Sequence, residues 1–539
     1  MDKINKLKER IANIEATNKN DIYSSNLYWS QKPFNICDEI IEHLSEDGDI
    51  IFDPFMGSGV TVIEALKKEY KRNAIGCDIN DAPIFIVKTL LEKYNVPKIE
   101  KDIKELNNKL SKLSTYYSTK CRECGEVVTI SKTIFDKENR NAKCELKSIH
   151  YKCKECKNDF KGEPNETEIS KFFIDEELKN IDDFQFIANS RLAVGEGDTV
   201  RTIFSNRNLI VLDKILGHID EYKNSESYEP MKYILLSILH LSKITDTHSN
   251  SQWPLWIPKK DCVEKNVVEL FIKNSKKTIK ALKLASKYLC ENRENVELIK
   301  NLDRGKFKLI KDGVQNIEDD VIPNEFVDLI ITDPPYMGQV LYSEYMQLYK
   351  PFMDLEFELE NEIVISSAPA RDKGKVLYFD MMNSAFENIS RVLKVGKYMC
   401  MYFHDSNLDV WDNIIDIMTN NNLKYMGQIH VSKNKNTLKN ILSPKKSLNG
   451  DCIIFFKKDL NINYDINEVD NIEDKINNIA QAIIDIKGYA STPELYDNGA
   501  LEYIISNGKL KEISKKYKDL TSIFEQRFNW DKERGVWTV

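Results

Sequence analysis

Apolar residues along the chain follow two periods. Ile50-Ile51-Phe52 and Asn73-Ala74-Ile75-Gly76-Cys77 are short, nearly continuous apolar runs, whereas Val62, Ile63, Ala65 and Leu66, and then Ile84, Ile86, Val87, Leu90 and Leu91, fall at helical spacing. Runs of the first kind, bounded by turn residues, predict buried parallel strands, and the helical segments between them predict crossovers. The alternation stops near residue 96. It resumes with Phe307–Ile310 and Val327–Thr332, and continues through Tyr398–Phe403 and Ile453–Phe456. The predicted class is α/β, with one sheet interrupted by a long insertion. Four divisions follow: 1–95 and 301–460 as the two parts of the sheet domain, 96–300 as the insertion, and 461–539 as a helical appendix with Ile472, Ile476, Ile479, Ile483 and Ile484 on its apolar side. Leu7, Ile11 and Ile14 form a stripe by which the N-terminal segment should dock on the body.

Three predicted strands deliver acids to their carboxyl ends, the edge where open α/β sheets bind ligands. Asp53-Pro54-Phe55-Met56-Gly57-Ser58-Gly59 joins the first strand to its helix. Gly57 and Gly59 permit a tight turn or a close approach to a ligand. The turn has no GK[ST] and lacks the six-residue dinucleotide fingerprint, so it suggests a nucleoside without a pyrophosphate. Asp78, 19 residues beyond Gly59, ends the second strand where a carboxylate can accept both hydrogen bonds of a ribose diol. Asp53 is a second candidate, for an amino group or for capping its own turn. Asp312, after Phe307–Ile310, is a third, for an adenine amine or for capping before Gly313. Finally, Asp333-Pro334-Pro335-Tyr336 ends a strand abruptly, since neither proline can donate to a ladder.

DPFMGSG, GCDIN and DPPY together resemble the S-adenosylmethionine-dependent DNA methyltransferases that modify exocyclic amino groups, with the glycine motif preceding DPPY. The resemblance covers about residues 26–95 and 305–456. It implies a Rossmann-like methyltransferase sheet, S-adenosylmethionine as cofactor and double-stranded DNA as substrate. It further implies that Tyr28 and Lys32, in an aromatic-rich segment, close over the methionine end of the cofactor. Phe55, Gly57, Gly59, Asp53, Asp78 and Asp312 complete the expected cofactor set. Asp333, Pro334, Pro335 and Tyr336 are the expected catalytic residues: the Asp333 carboxylate and the Pro334 carbonyl accept the two amine hydrogens, and Tyr336 stacks on a base drawn out of the duplex. Adenine N6 is the expected target. Cytosine N4, guanine N2 of RNA and a catalytically silent nucleic-acid-binding scaffold are the alternatives. A restriction-modification role leaves room for a restriction or defence partner protein.

Within the insertion, Cys121-x-x-Cys124 and Cys153-x-x-Cys156 are 28 residues apart. Two such knuckles can give four thiolates to one tetrahedral zinc ion, and an all-thiolate set with no open position predicts a structural metal. Cys144 lies outside both pairs and is left as a spare thiol. Of the 11 cysteines, the four paired ones fit a reducing compartment better than a disulfide framework.

At 539 residues, with 42% hydrophobic and 30% charged positions, the composition is that of an ordinary soluble protein, with no apolar stretch near membrane length and no secretory h-region at the N-terminus. The expected location is the cytoplasm. A formal net charge of -8 requires any nucleic acid to meet a local basic face. Two stretches qualify: the lysines between 259 and 287, spread over a predicted helix, and those between 424 and 446, where no acid intervenes. Trp253-Pro254-Leu255-Trp256 is read as a hydrophobic plug in a loop rather than a stacking platform.

Overall fold

The computed structural model describes residues 3–29, 31–137, 144–247, 253–337, 340–431, 445, 448, 450–462 and 471–539. Seven strands form the central sheet: β1 (Ile50–Asp53), β2 (Asn73–Asp78), β3 (Phe307–Lys311), β4 (Val327–Thr332), β5 (Leu393–Tyr402), β6 (Leu423–Val431) and β7 (Asp451–Lys458). Their order is β6-β7-β5-β4-β1-β2-β3, with β3, β2, β1, β4 and β5 parallel and β7 antiparallel to both β5 and β6. This is a mixed sheet in an α/β fold, and its chain order reverses between β1 and β4, where a crevice opens outside the strand tips.

The short apolar runs are continuous because both faces of the sheet are covered. Successive residues of a strand point to opposite faces. Thus Ile51, Leu329, Ile331, Cys400, Ile453 and Phe455 pack with the helices Lys3–Ala12, Phe34–Leu44, Val60–Ala65 and Asp81–Leu91. Phe52, Ile330, Met399, Met401, Ile454 and Phe456 pack on the other side with Lys375–Val392 and Leu408–Asn420. The N-terminal stripe docks as its spacing predicts, with Ile4, Leu7 and Ile11 buried.

Between β2 and β3 the chain builds a separate apolar core from the helices Val96–Leu110, Asn206–Asp220, Tyr228–Ser242 and Val267–Tyr288, together with a four-stranded antiparallel sheet. The last of these helices buries Val267, Phe271, Ala281 and Leu282 and exposes Lys273, Lys276, Lys277, Lys280, Lys283 and Lys287. Leu255 and Ile257 plug the preceding loop, but Trp253 is exposed, unlike the plug read from the sequence. Most of the second lysine stretch lies outside the described residues.

Residues 471–539 are helical as far as Phe524 and then form a hairpin, Asn529–Asp531 with Val536–Thr538, that the helical reading missed. Its reason is aromatic: Trp530 and Trp537 are directly paired across the hairpin, their rings 5.2 Å apart, and Trp537 is fully buried. Among the described residues no helix is long and apolar enough to cross a membrane.

Candidate active site

The crevice between the β1 and β4 tips is a cleft of about 950 Å³, its open mouth included, lined by Tyr28, Lys32, Asp53, Phe55, Gly57, Asp78, Gly313, Asp333, Pro335, Glu362 and Tyr402 among others. The parallel register brings the acids together, since Phe52 faces Ile330 on β4 and Asp53 faces Gly76 on β2.

At the β2 end, Asp78 accepts hydrogen bonds from the backbone N–H of Gly57 (3.0 Å) and of Asn80 (3.0 Å). The carboxylate therefore holds the glycine turn in place while facing the cleft. Gly57 has φ of +50°, and a Cβ there would lie 3.0 Å from the Tyr28 ring, which stacks on Tyr342 at 6.2 Å and covers the turn. Gly59 serves differently. With φ of +75°, it starts the helix Val60–Ala65, and a Cβ would fall 2.4 Å from Val87 Cγ2, so its lack of a side chain serves packing and it does not line the cleft. Gly59→Ala is therefore expected to destabilise the protein by about 1–3 kcal/mol. An unchanged denaturation midpoint would refute that packing account.

Asp53 receives the Phe55 N–H at 3.2 Å, and burial pushes its carboxyl up to about 7 despite that bond and one from Thr61. Asp78 is likewise raised to about 7, chiefly by burial. Asp312 stands just past β3, but its Oδ1 accepts from the Gly313 N–H (2.7 Å) and from Asn316 Nδ2 (2.9 Å). That carboxylate caps its own turn, and the neighbouring Gly313, Val314 and Gln315 line the cleft instead.

At the β4 end, both oxygens of Asp333 are engaged. Oδ1 accepts from the Tyr336 hydroxyl at 2.6 Å, and Oδ2 lies 3.0 Å from Lys32 Nζ. Burial raises Asp333 above the usual carboxylate range, opposed by the Lys32 cation and the Tyr336 hydroxyl. Lys32 is itself buried, 3.2 Å from Asp451 Oδ1 and 3.2 Å from the Tyr336 hydroxyl, with its ammonium over the Tyr402 ring. The structure thus places Lys32 beside the DPPY carboxylate, not beside the glycine turn. The Tyr336 ring meets Phe403 edge-on at 5.8 Å, and the Pro335 carbonyl accepts from the Tyr378 hydroxyl at 2.8 Å, which fixes the corner.

Asp451 is a site residue that sequence reasoning missed. Because β7 runs antiparallel, its first residue arrives at the edge where β5 ends. An acid closing the acid-free stretch after Asp416, directly before a strand, was the available signal. Glu362 was missed as well. Glu362 and Glu344 both pair with the buried Arg371, and Glu362 accepts the Ser343 N–H at 3.0 Å, so the segment after DPPY is braced as a wall of the cleft. At the strand tips that line the cleft, the hydroxyls of Thr332 and Tyr402 are buried without a hydrogen-bond partner among the described residues. Such groups mark a place where a polar ligand completes the bonding.

Away from the cleft, the four paired cysteines converge. Cys121 Sγ is 3.6 Å from Cys156 Sγ, and Cys124 Sγ is 3.6 Å from Cys153 Sγ, with all four sulfurs within 4.8 Å of one another. Four ligands about 2.3 Å from one tetrahedral ion stand ~3.8 Å apart, so the spacing fits a zinc ion. Each knuckle turns through a left-handed residue after its second cysteine, Gly125 (φ +74°) and Lys157 (φ +61°). Cys121 accepts backbone N–H groups of Cys124 and Glu123, which lower its thiol to about 6. Cys144 stays outside the cluster.

Residues 5–88 match the family described as DNA methylase (N6_N4_Mtase). A curated relative, the type II methyltransferase M.MjaII of Methanocaldococcus jannaschii, is 23% identical over 372 residues, or 64% of this chain, and the chain spans 65% of that relative. Two solved structures are also similar. A protein assigned as a DNA modification methylase from Thermus thermophilus is 11% identical, covering 29% of this chain and 53% of that one, with a TM-score of 0.14. A protein assigned as a class I S-adenosylmethionine-dependent methyltransferase from Listeria monocytogenes is 14% identical, covering 36% and 43%, with a TM-score of 0.17. At those scores neither structure bears on the reading of this fold. The resemblance carried by the sequence motifs, to the DNA amino-methyltransferases, is shown by the DNA methylase match and by the type II methyltransferase relative.

Proposed function

We propose that the protein is a site-specific DNA methyltransferase that moves a methyl group from S-adenosylmethionine to an exocyclic amine, adenine N6 being the expected target. The observation that carries this reading is one cleft lined by the Asp53 and Asp78 carboxylates at one end and by Lys32 and Asp333, the latter bonded to the Tyr336 hydroxyl, at the other. The cofactor fits the residues present. Asp78 is an acceptor for a ribose diol, Gly57 lets the Tyr28 ring close over the turn, and the Thr332 and Tyr402 hydroxyls have no hydrogen-bond partner among the described residues. When bound, it supplies an electrophilic methyl on a sulfonium.

An exocyclic amine is a poor nucleophile because its lone pair is delocalised into the ring. Asp333 Oδ1 and the Pro334 carbonyl are assigned its two hydrogens, which favours a pyramidal nitrogen with the lone pair free. To do so, the amine displaces the Tyr336 hydroxyl from Asp333, while Lys32 keeps that carboxylate an acceptor in a buried site. Positioning then carries the direct transfer, and Asp333 takes the proton that the methylated nitrogen releases. Lys273 to Lys287 are assigned to the DNA backbone. The four cysteines are assigned one structural zinc ion that supports the insertion, and the protein is assigned to the cytoplasm.

The deciding experiment is transfer from labelled cofactor to genomic DNA of a methylation-free host, and to RNA, followed by digestion and mass spectrometry of the nucleosides. N6-methyladenine on DNA is expected. Product on RNA alone would overturn the DNA reading, and N4-methylcytosine would reassign the base.

A pH dependence follows from the buried acids. Asp53, Glu64 and Asp78 are each raised to about 7, so the folded state holds protons that the unfolded chain releases near pH ~4. Their contribution to stability is complete below the unfolded carboxyl range and is lost as pH rises through 7. A diol binds the ionised Asp78, so cofactor affinity should rise between pH 6 and 8, by at most ~10-fold per unit. Asp78→Asn should weaken binding and flatten that rise. Calorimetry across this range checks both, and an unaltered slope in the variant would dismiss the ribose assignment.

A further inference from the structure

A second cluster of metal-binding side chains lies beyond the cleft. His404 follows the end of β5, His430 is near the end of β6, and Asp497 belongs to a short helical turn, Tyr496–Ala500, in the C-terminal region. Their donor atoms lie within 4.8 Å of one another. The side chains are nearly sealed from solvent, with exposures of 9%, 6% and 0%.

As a set of hydrogen bonds this cluster is incomplete. His430 Nδ1 is 2.8 Å from Asp497 Oδ2. His404 Nε2 stands 3.3 Å from the same oxygen but is not aligned to bond it, and has no hydrogen-bond partner among the described residues. Asp497 Oδ1 is also buried without one. Buried carboxylate and imidazole atoms without a well-formed hydrogen bond among the described residues are unfavourable unless something else satisfies both. The backbone around it is meanwhile fixed. Gln428 Nε2 donates to the Asp497 carbonyl at 3.1 Å, and the His430 N–H donates to Asn498 Oδ1 at 3.0 Å. His430 and Asp497 are thus held against each other by backbone contacts apart from their own side-chain bond.

We propose that His404, His430 and Asp497 form a binding site for a first-row divalent metal ion of the zinc class, separate from the four-cysteine cluster, that ties the C-terminal region to the tips of β5 and β6. Two imidazoles and a carboxylate suit borderline ions such as zinc, and a protein-sealed set suits a structural role. The tie bears on the cleft, because His404 directly follows Tyr402 and Phe403, of which the first lines the cleft and the second holds the Tyr336 ring. The site does not depend on the reaction proposed above.

The test uses the full-length protein. Asp497→Asn keeps the size of the side chain and an oxygen for His430, so a purely hydrogen-bonded triad would survive it, whereas metal affinity would not. Elemental analysis after exposure to excess zinc and gel filtration should give one equivalent fewer in Asp497→Asn and in His404→Gln than in the parent protein. Equal counts in folded variants would overturn the proposal. Should the variants fail to fold, the parent protein decides: after chelation, zinc added stepwise should shift two of the seven histidine rings in nitrogen-15 spectra. Rings that stay unperturbed at saturation would overturn the proposal equally.

Discussion

Asp333→Asn should lower methyl transfer by about 10²–10³-fold or more while leaving S-adenosylmethionine binding largely intact. The asymmetry follows from geometry. Asp333 bonds Lys32 and Tyr336 at the β4 tip, whereas the ribose is assigned to Asp78 at the β2 tip, so the variant removes an acceptor for the amine and nothing for the nucleoside. Asparagine keeps the volume but turns one oxygen into a donor, which cannot accept an amine hydrogen and repels the target. Transfer rates under single turnover and calorimetry of the cofactor separate the two effects. Near-normal transfer by the variant would remove Asp333 from the chemistry, and lost cofactor binding would mean that the two ends of the cleft are not independent.

Lys32 tunes the same acid. Its ammonium opposes the burial that raises Asp333, and it also faces Asp451. Lys32→Met would leave two buried carboxylates without their cation, so the acid limb of the activity profile should move to higher pH, because Asp333 must ionise before it can accept. A limb that stays in place would show that Lys32 acts only through packing.

The parts of this arrangement that were legible in the sequence are those set by local period. β1, β2 and β4 announce themselves as apolar runs ended by Asp53, Asp78 and the two prolines, because strands covered on both faces are filled mainly by apolar residues. Lys32 was visible as a candidate, but its partner was not: a contact with Asp333, some 300 positions away, depends on sheet order rather than on any neighbour in sequence. Asp451 escaped for a related reason, since only the antiparallel course of β7 puts a strand's first residue at the edge where the others end. Gly59 shows the opposite limit. Its need for glycine was legible, but the cause, contact with Val87 on the next helix, is tertiary. His404, His430 and Asp497 come from three separate segments with no shared spacing, so no motif could have joined them.

Removing the metal assigned to the four cysteines should unfold the module around them and spare the central sheet. The knuckles themselves have little else to hold them, although Ile149 and Tyr151 beside them are anchored in the insertion's core. Cys121 and Cys153 are buried but Cys124 and Cys156 are exposed, and the strands that lead to them are short at one hairpin, Ser118–Lys120 with Val127–Thr129, and at the edge strand Asp159–Gly162. Between the knuckles themselves, Tyr151 stacks on Phe160 at 4.9 Å and accepts the Arg122 N–H at 2.8 Å. Small units of this kind draw folding free energy from the ion itself. The central sheet has its own apolar layers on both faces, so it should not follow. A Cys121→Ser, Cys153→Ser double variant is therefore expected to lose about one equivalent of zinc and the hydrogen-exchange protection of residues 118–129 and 153–162, while 144–152, paired with Lys132–Lys137, keep theirs. Protection of β1, β2 and β4 and cofactor affinity should persist, while DNA-dependent transfer falls because the insertion no longer presents its lysines in a fixed frame. Undiminished protection in the variant, or folded and reduced parent protein that holds no metal at these sulfurs, would defeat the assignment. Global unfolding would instead show that the insertion and the sheet stand or fall together, which the packing of Leu341, Tyr345 and Phe352, from beyond DPPY, into the insertion's own core makes the informative alternative.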